Sequence, residues 1–102
     1  MILSEAELVA AVTRDRAAGK RIGFVAVWFD LLRVGEVRRI QTAAGRADCV
    51  VVAVADDEQP HVIKIEDRAE LVDSLRGVTY VTVCPPGSVE TLVALLAPDV
   101  RS

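Results

Sequence analysis

The sequence predicts an α/β domain in three layers, a parallel sheet with helices on both faces. Two observations predict it. Residues 21–28 (RIGFVAVW), 48–55 (DCVVVAVA) and 78–84 (VTYVTVC) are dominated by apolar and β-branched residues with no polar alternation. That is the pattern of strands buried on both faces. The segments between them carry apolar residues at helical spacing, and strands that alternate with helices wind into parallel sheets.

Taken in order, Ser4-Glu5-Ala6-Glu7 is a capping box, in which the Ser4 hydroxyl accepts from the Glu7 amide and Glu7 reaches back. Leu8, Ala11 and Val12 recur behind it, and Gly19 supplies a stop, so the first helix spans 5–18. The strand at 21–28 follows. After a turn around Phe29-Asp30-Leu31-Leu32, residues 35–44 place Val37, Ile40, Ala43 and Ala44 on one helical face. The second strand is 48–55, and the acidic 56–60 segment is a turn. Helix 66–75 sets Ala69, Leu71, Val72 and Leu75 inward and ends at Gly77. The third strand is 78–84. Pro85-Pro86-Gly87 then turns the chain, and Ser88 caps a last helix carrying Leu92, Leu95 and Leu96.

At 102 residues the chain is expected to form one domain, 1–102. Hydrophobic residues at 52% and charged residues at 26% exclude disorder and a disulfide scaffold. Twelve basic against fifteen acidic residues give a net charge of −3, which opposes nucleic-acid binding. The longest apolar run, 50–55, falls far short of a membrane span, and Met1-Ile2-Leu3-Ser4-Glu5 lacks a signal-peptide layout. Cys49 and Cys84 lie within apolar runs and read as buried thiols of a reducing compartment. The expectation is a cytoplasmic protein with neither nucleic acid nor membrane as partner.

In a parallel sheet, ligands bind beyond the carboxyl ends of the strands. At the first such end stands Phe29-Asp30-Leu31-Leu32-Arg33-Val34-Gly35-Glu36-Val37-Arg38, which resembles the G-x-F-D-x-x-H-x-G-H signature of the H-x-G-H nucleotidyltransferases. The similarity is closest to the adenylyltransferase domain of ADP-heptose synthesis enzymes, with glycerol-3-phosphate cytidylyltransferase more distant. Ala17-Ala18-Gly19-Lys20-Arg21-Ile22, Ala47-Asp48-Cys49-Val50-Val51-Val52-Ala53-Val54, Glu66-Asp67-Arg68-Ala69-Glu70-Leu71 and the closing 92–100 segment extend it over nearly the whole chain. The resemblance implies a Rossmann-like nucleotidyltransferase fold. With right-handed crossovers it gives about three parallel strands in order 3-2-1, without the last two strands of the family. It also implies nucleotide-binding candidates at Phe29, Asp30, Gly35, Asp57, Lys64 and Arg68.

The signature departs from the family at the residues that carry its chemistry. Arg33 and Glu36 hold the positions of the two histidines that stabilise the departing pyrophosphate. Arg33 still offers a fork of donors. Glu36 is a carboxylate in the first turn of a helix, where free amides and the positive dipole end would otherwise take an anion. Val27 stands where the family has the glycine of G-x-F-D, so a branched side chain is expected where backbone should approach nucleotide. The glycine- and proline-containing loop after Lys64 is missing, and the sequence stops before the Ser/Thr-rich second signature.

Other residues have a structural reading beside a functional one. Asp30 caps a turn or touches ligand, and Trp28 fills the pocket mouth or stacks on a base. His61 stands alone and reads as solvated, as does Asp56-Asp57-Glu58, so no metal site is expected. Arg68 pairs with Glu66 or Asp67, or binds nucleotide. Cys84 has no basic neighbour to activate it. The expected function is a catalytically impaired module for interaction or assembly, without cofactor. The alternatives are a nucleotide or phosphate-ligand sensor, and an active adenylyl- or cytidylyltransferase with a rearranged site; magnesium with nucleotide belongs to these alone. The strand at 21–28 is expected to form an exposed sheet edge. A homodimer or higher oligomer is expected in consequence, with the first helix as the other possible cover.

Overall fold

Helix α1 (Glu5–Ala17) starts on its capping box: the Ser4 hydroxyl accepts from the Glu7 amide at 3.2 Å, and the Glu7 carboxylate accepts from the Ser4 amide at 3.0 Å. The fold is that of a computed structural model, which describes residues 1–28, 34–56 and 63–102. After α1 come β1 (Ile22–Val27), α2 (Val34–Ala44), β2 (Cys49–Ala55), α3 (Ile65–Asp73), β3 (Tyr80–Cys84), α4 (Val89–Leu96) and β4 (Val100–Arg101). From α1 to β3 the element bounds agree with the sequence reading to within two residues at each end.

The strands form one parallel sheet in the order β3-β2-β1-β4. Every residue of β1 and β2 is buried, as their unbroken apolar runs require. Alternate side chains divide between two cores. Phe24, Val51, Ala53 and Tyr80 face α1 and α4 together with Leu8 and Leu92. Val25, Val27, Val52 and Val81 face α2 and α3 with Ile40 and Val72. This is the period-two alternation of a strand, repeated across a sheet with a helical layer on each side.

Gly77 adopts φ +92°, and a Cβ placed there would meet the Ala44 Cβ at 2.9 Å. The turn into β3 therefore needs glycine for its backbone and for the close approach of α2.

Three expectations are corrected. The sheet has a fourth strand: β4 pairs with β1 through Gly23–Val100 and Phe24–Arg101, so β1 is not left as an edge and α1 is not its cover. The Ile22 amide donates to the Asp99 carboxylate at 2.8 Å, and the Ser102 amide donates to the Phe24 carbonyl at 2.9 Å. These bonds hold a strand too short to show as an apolar run. The opposite edge, β3, is also occupied, because Leu3 donates to the Val81 carbonyl and Val81 donates to the Met1 carbonyl, both at 2.8 Å. Ser88 stands at the N-cap of α4, but its hydroxyl donates to the Pro85 carbonyl at 2.7 Å instead of accepting from the helix. Leu71 is 47% exposed: α3 needs only Arg68, Ala69 and Val72 to cover its side of the sheet.

Candidate functional site

The chain leaves β1 through α2 on one face of the sheet and reaches β4, the neighbour of β1, through α4 on the other. The carboxyl ends of β1 and β4 therefore flank a topological switch point, the usual place for a ligand crevice. Trp28 follows β1 there and is 41% exposed. Arg39, one helical turn beyond Glu36 on α2, spans the switch point: its Nη2 donates to the Ala26 carbonyl at 3.2 Å and to the Ser102 carbonyl at 3.0 Å. Sequence reasoning missed Arg39. Its only local signal was a place three residues after Glu36, and its partners come from two other segments.

The first turn of α2 carries Gly35, which is exposed with open space around it, and Glu36, which is only 4% exposed. The Glu36 carboxyl is therefore inside the protein, carried by the first turn of α2. Val27 departs from expectation. Its side chain is 3% exposed and packs in the core shared with Ile40, so it does not stand in the mouth of the site.

Lys64 and Arg68 open α3. Lys64 is exposed and its side chain makes no cap; its carbonyl accepts from the Arg68 amide at 3.0 Å. Arg68 is 5% exposed, and its Nη1 donates to the Trp28 carbonyl at 3.4 Å, while its Nε has no hydrogen-bond partner among the described residues. Pairing of Arg68 with the exposed Glu66 or Asp67 is thus replaced by a contact across to the end of β1. Trp28, Glu36, Arg39 and Arg68 come together at the carboxyl side of the sheet. Phe29, Asp30, Arg33, Asp57 and His61 lie outside the described residues.

Cys84 ends β3 and is buried; burial pushes its thiol pKa up, in keeping with an unreactive side chain. Among the described residues no group of three or more His, Cys, Asp or Glu side chains is placed to hold a metal ion, and no helix is long and apolar enough to cross a membrane.

A second polar cluster, absent from the sequence reading, lies at the amino ends of the strands. Asp15 of α1 is 6% exposed and accepts from the Tyr80 hydroxyl, with the Cys49 thiol at 3.5 Å. The Tyr80 hydroxyl, ahead of the opposing effect of burial, holds the Asp15 carboxyl below its ordinary range. Tyr80 is shifted up by the same bond, and Cys49 chiefly by burial. The group faces away from the switch point and ties α1 to β2 and β3.

No protein-family profile matches the chain. It is 32% identical over 107 residues to the bifunctional protein HldE of Alcanivorax borkumensis, a match covering 97% of the chain and 22% of that protein. With HldE of Hydrogenovibrio crunogenus the identity is 34%, over 96% of the chain and 22% of the relative. The chain thus spans about a fifth of the length of the curated relatives it matches. Among solved structures, the lipopolysaccharide core biosynthesis protein of Thermoplasma volcanium shares the fold with a TM-score of 0.72 at 21% identity, over 81% of this chain and 73% of that one. Strand order and these similarities agree: the chain has the fold of the nucleotidyltransferase-like superfamily and is a relative of one segment of the HldE proteins.

Proposed function

We propose that the chain is a catalytically impaired member of that superfamily, acting as an interaction or assembly module. One observation carries the reading: Glu36 is buried in the first turn of α2, where a phosphate-binding histidine stands in the family. A carboxylate near the helix amides occupies the positive end of the dipole and repels a polyphosphate. Loss of one donor to a developing oxyanion lowers turnover by about 10²–10³-fold in other enzymes. Pyrophosphate release from ATP or CTP, with heptose 1-phosphate or glycerol 3-phosphate as acceptor, tests the reading. Turnover above about 1 s⁻¹ overturns it in favour of an active transferase with a rearranged site.

A second reading, a sensor that retains a nucleotide or phosphorylated ligand, is favoured by the buried Arg68 with its unbonded Nε and by Arg39 at the switch point. Calorimetric titration of ATP and CTP with magnesium separates the two. Heat of binding without pyrophosphate release selects the sensor; neither heat nor release selects the assembly module.

A further inference from the structure

We propose that the amino-end face of the sheet, where the turns before β1, β2 and β3 carry Lys20-Arg21, Arg46 and Arg76, docks an extended acidic segment of a partner protein. The inference rests on the assembly reading of the function and names the kind of partner. Its ground is a separation of charge along the strands. The connections that lead into the four strands, residues 18–21, 45–48, 74–79 and 97–99, hold four cations against two carboxylates, in a chain whose other residues number eight basic and thirteen acidic. The connections that leave the strands, 28–33, 56–64 and 85–88, reverse the balance, with two basic and four acidic residues. Both carboxylates of the cationic end are engaged by main chain: Asp48 accepts from the Arg21 amide and Asp99 from the Ile22 amide, each at 2.8 Å. Asp73, at the end of α3, is paired with the Met1 amine.

The cations form one row. Arg21 Nε donates to the Arg46 carbonyl at 3.3 Å, and Gln41, in the last turn of α2, donates to the Arg76 carbonyl at 2.6 Å. Arg21, Arg46 and Arg76 precede the neighbouring strands β1, β2 and β3, so the row crosses two interstrand spacings, roughly 10 Å. Alternate residues of an extended chain stand about 7 Å apart on one side, so two carboxylates of such a segment can meet the row at once. Lys20, Arg21, Arg46 and Arg76 are all exposed. Lys20 lies 3.9 Å from Asp15, while Arg46 and Arg76 make no ion pair among the described residues. Their guanidinium forks match a carboxylate in shape and charge. Only Ala18, Gly19, Gly45, Ala47 and Gly77 stand next to these cations in the turns, apart from Ser74 and Leu75 before Arg76. Against such small side chains an extended backbone can lie close. A bilayer finds no row of large apolar side chains to take up, and unpaired bases find no aromatic ring to stack on. The acidic remainder of the chain also repels a long uniform polyanion more than a short segment.

Fluorescence anisotropy of a labelled synthetic peptide of alternating Glu and Ser, titrated with the full chain, tests the proposal. Binding at low salt that weakens as ionic strength rises is expected, and the same peptide with Gln for Glu should not bind. Arg46→Gln combined with Arg76→Gln should raise the dissociation constant at least about threefold with an unchanged circular dichroism spectrum, since both residues sit in exposed turns. Lys64→Gln, which removes the same charge at the opposite end of the sheet, should leave the binding as it was. Absence of peptide binding overturns the proposal, as does an equal loss with Lys64→Gln. A double variant that lowers Tm but binds the peptide as before also overturns it, because these cations then serve only the carboxyl ends of the helices. Tighter binding of phosphatidylglycerol vesicles or of single-stranded RNA through the same arginines overturns it in favour of those partners. The pyrophosphate assay stands apart: an active chain that binds the peptide refutes impairment and leaves this face in place, and an inactive chain that ignores the peptide refutes this face alone.

Discussion

Removing one hydroxyl tests how the two halves of the structure are joined. Asp15 lies near the carboxyl end of α1, where the helix dipole disfavours an anion, and it is nearly fully buried. Its charge is held by the Tyr80 hydroxyl, by the more distant Cys49 thiol, and by Lys20 and Arg14, each at 3.9 Å. Tyr80→Phe keeps the ring packed among Leu8, Phe24 and Val51 and removes only the bond to the carboxylate. A hydrogen bond to a charged group contributes about 1.5–3 kcal/mol, so the variant should lose that much. At about 4–8 °C per kcal/mol for a domain of this size, Tm should fall by roughly 6–24 °C.

The pH dependence follows from the directions of the shifts. Asp15 is held below its ordinary 3.8, so its contribution is complete above that value and is lost as pH falls through the folded-state value. Tyr80 is held above its ordinary 10.0, so its contribution is complete below that value and is lost as pH rises through the folded-state value. The gap between wild type and Tyr80→Phe should therefore be flat across neutral pH and close in strong acid. Urea melts over a pH series measure it. In the double variant with Asp15→Leu, the loss should be smaller than the sum of the single losses, since no buried carboxylate remains to be stranded. A gap below about 0.5 kcal/mol at neutral pH, or one that persists in strong acid, would refute the argument.

Two further outcomes follow from packing. Val27→Gly, which restores the family residue, should destabilise the fold by about 2–4 kcal/mol through lost burial and added backbone freedom, without opening the site; improved ATP affinity in that variant would contradict the inward packing of Val27. Cys49 and Cys84 should resist a thiol reagent at neutral pH until the chain unfolds, because burial raises both pKa values; rapid labelling of the native protein would count against it.

The layered fold was legible because a strand covered on both faces cannot hide its composition: residues 50–55 have no polar position in them. The fourth strand was not legible. Val100–Arg101 is two residues long, and its place depends on bonds to Arg39 and the backbone of β1, remote in sequence, with the neighbouring Asp99 accepting from Ile22. Asp15 was hidden for a similar reason. Between Arg14 and Arg16 it reads as part of a charged surface, and its chief partner, Tyr80, stands 65 positions away. At the candidate site, the 29–38 motif pointed to the carboxyl end of β1, and residues 29–33 of it lie outside the described residues. Its local spacing could not reveal that Val27 turns into the core or that Arg68 reaches across to the Trp28 carbonyl.

The sheet sorts the buried polar groups by end, and that separation makes stability and binding independently testable. At the amino ends, Asp15, Tyr80 and Cys49 bond to one another and fasten α1 to the strands. At the carboxyl ends, Arg39 and Arg68 bond to main-chain carbonyls of β1 and its flanks, and Glu36 is buried in the first turn of α2. The second arrangement ties side chains to main chain at the switch point instead of closing a helix onto a sheet. Buried polar groups that serve only stability are expected to be mutually satisfied, as the first set is. An arginine whose Nε is left without a bond, at a topological switch point, departs from that rule where a ligand-binding ancestry would place the departure. Relaxing the amino-end cluster with Tyr80→Phe should therefore lower Tm and leave any nucleotide titration unchanged, whereas a change at Glu36 should alter that titration.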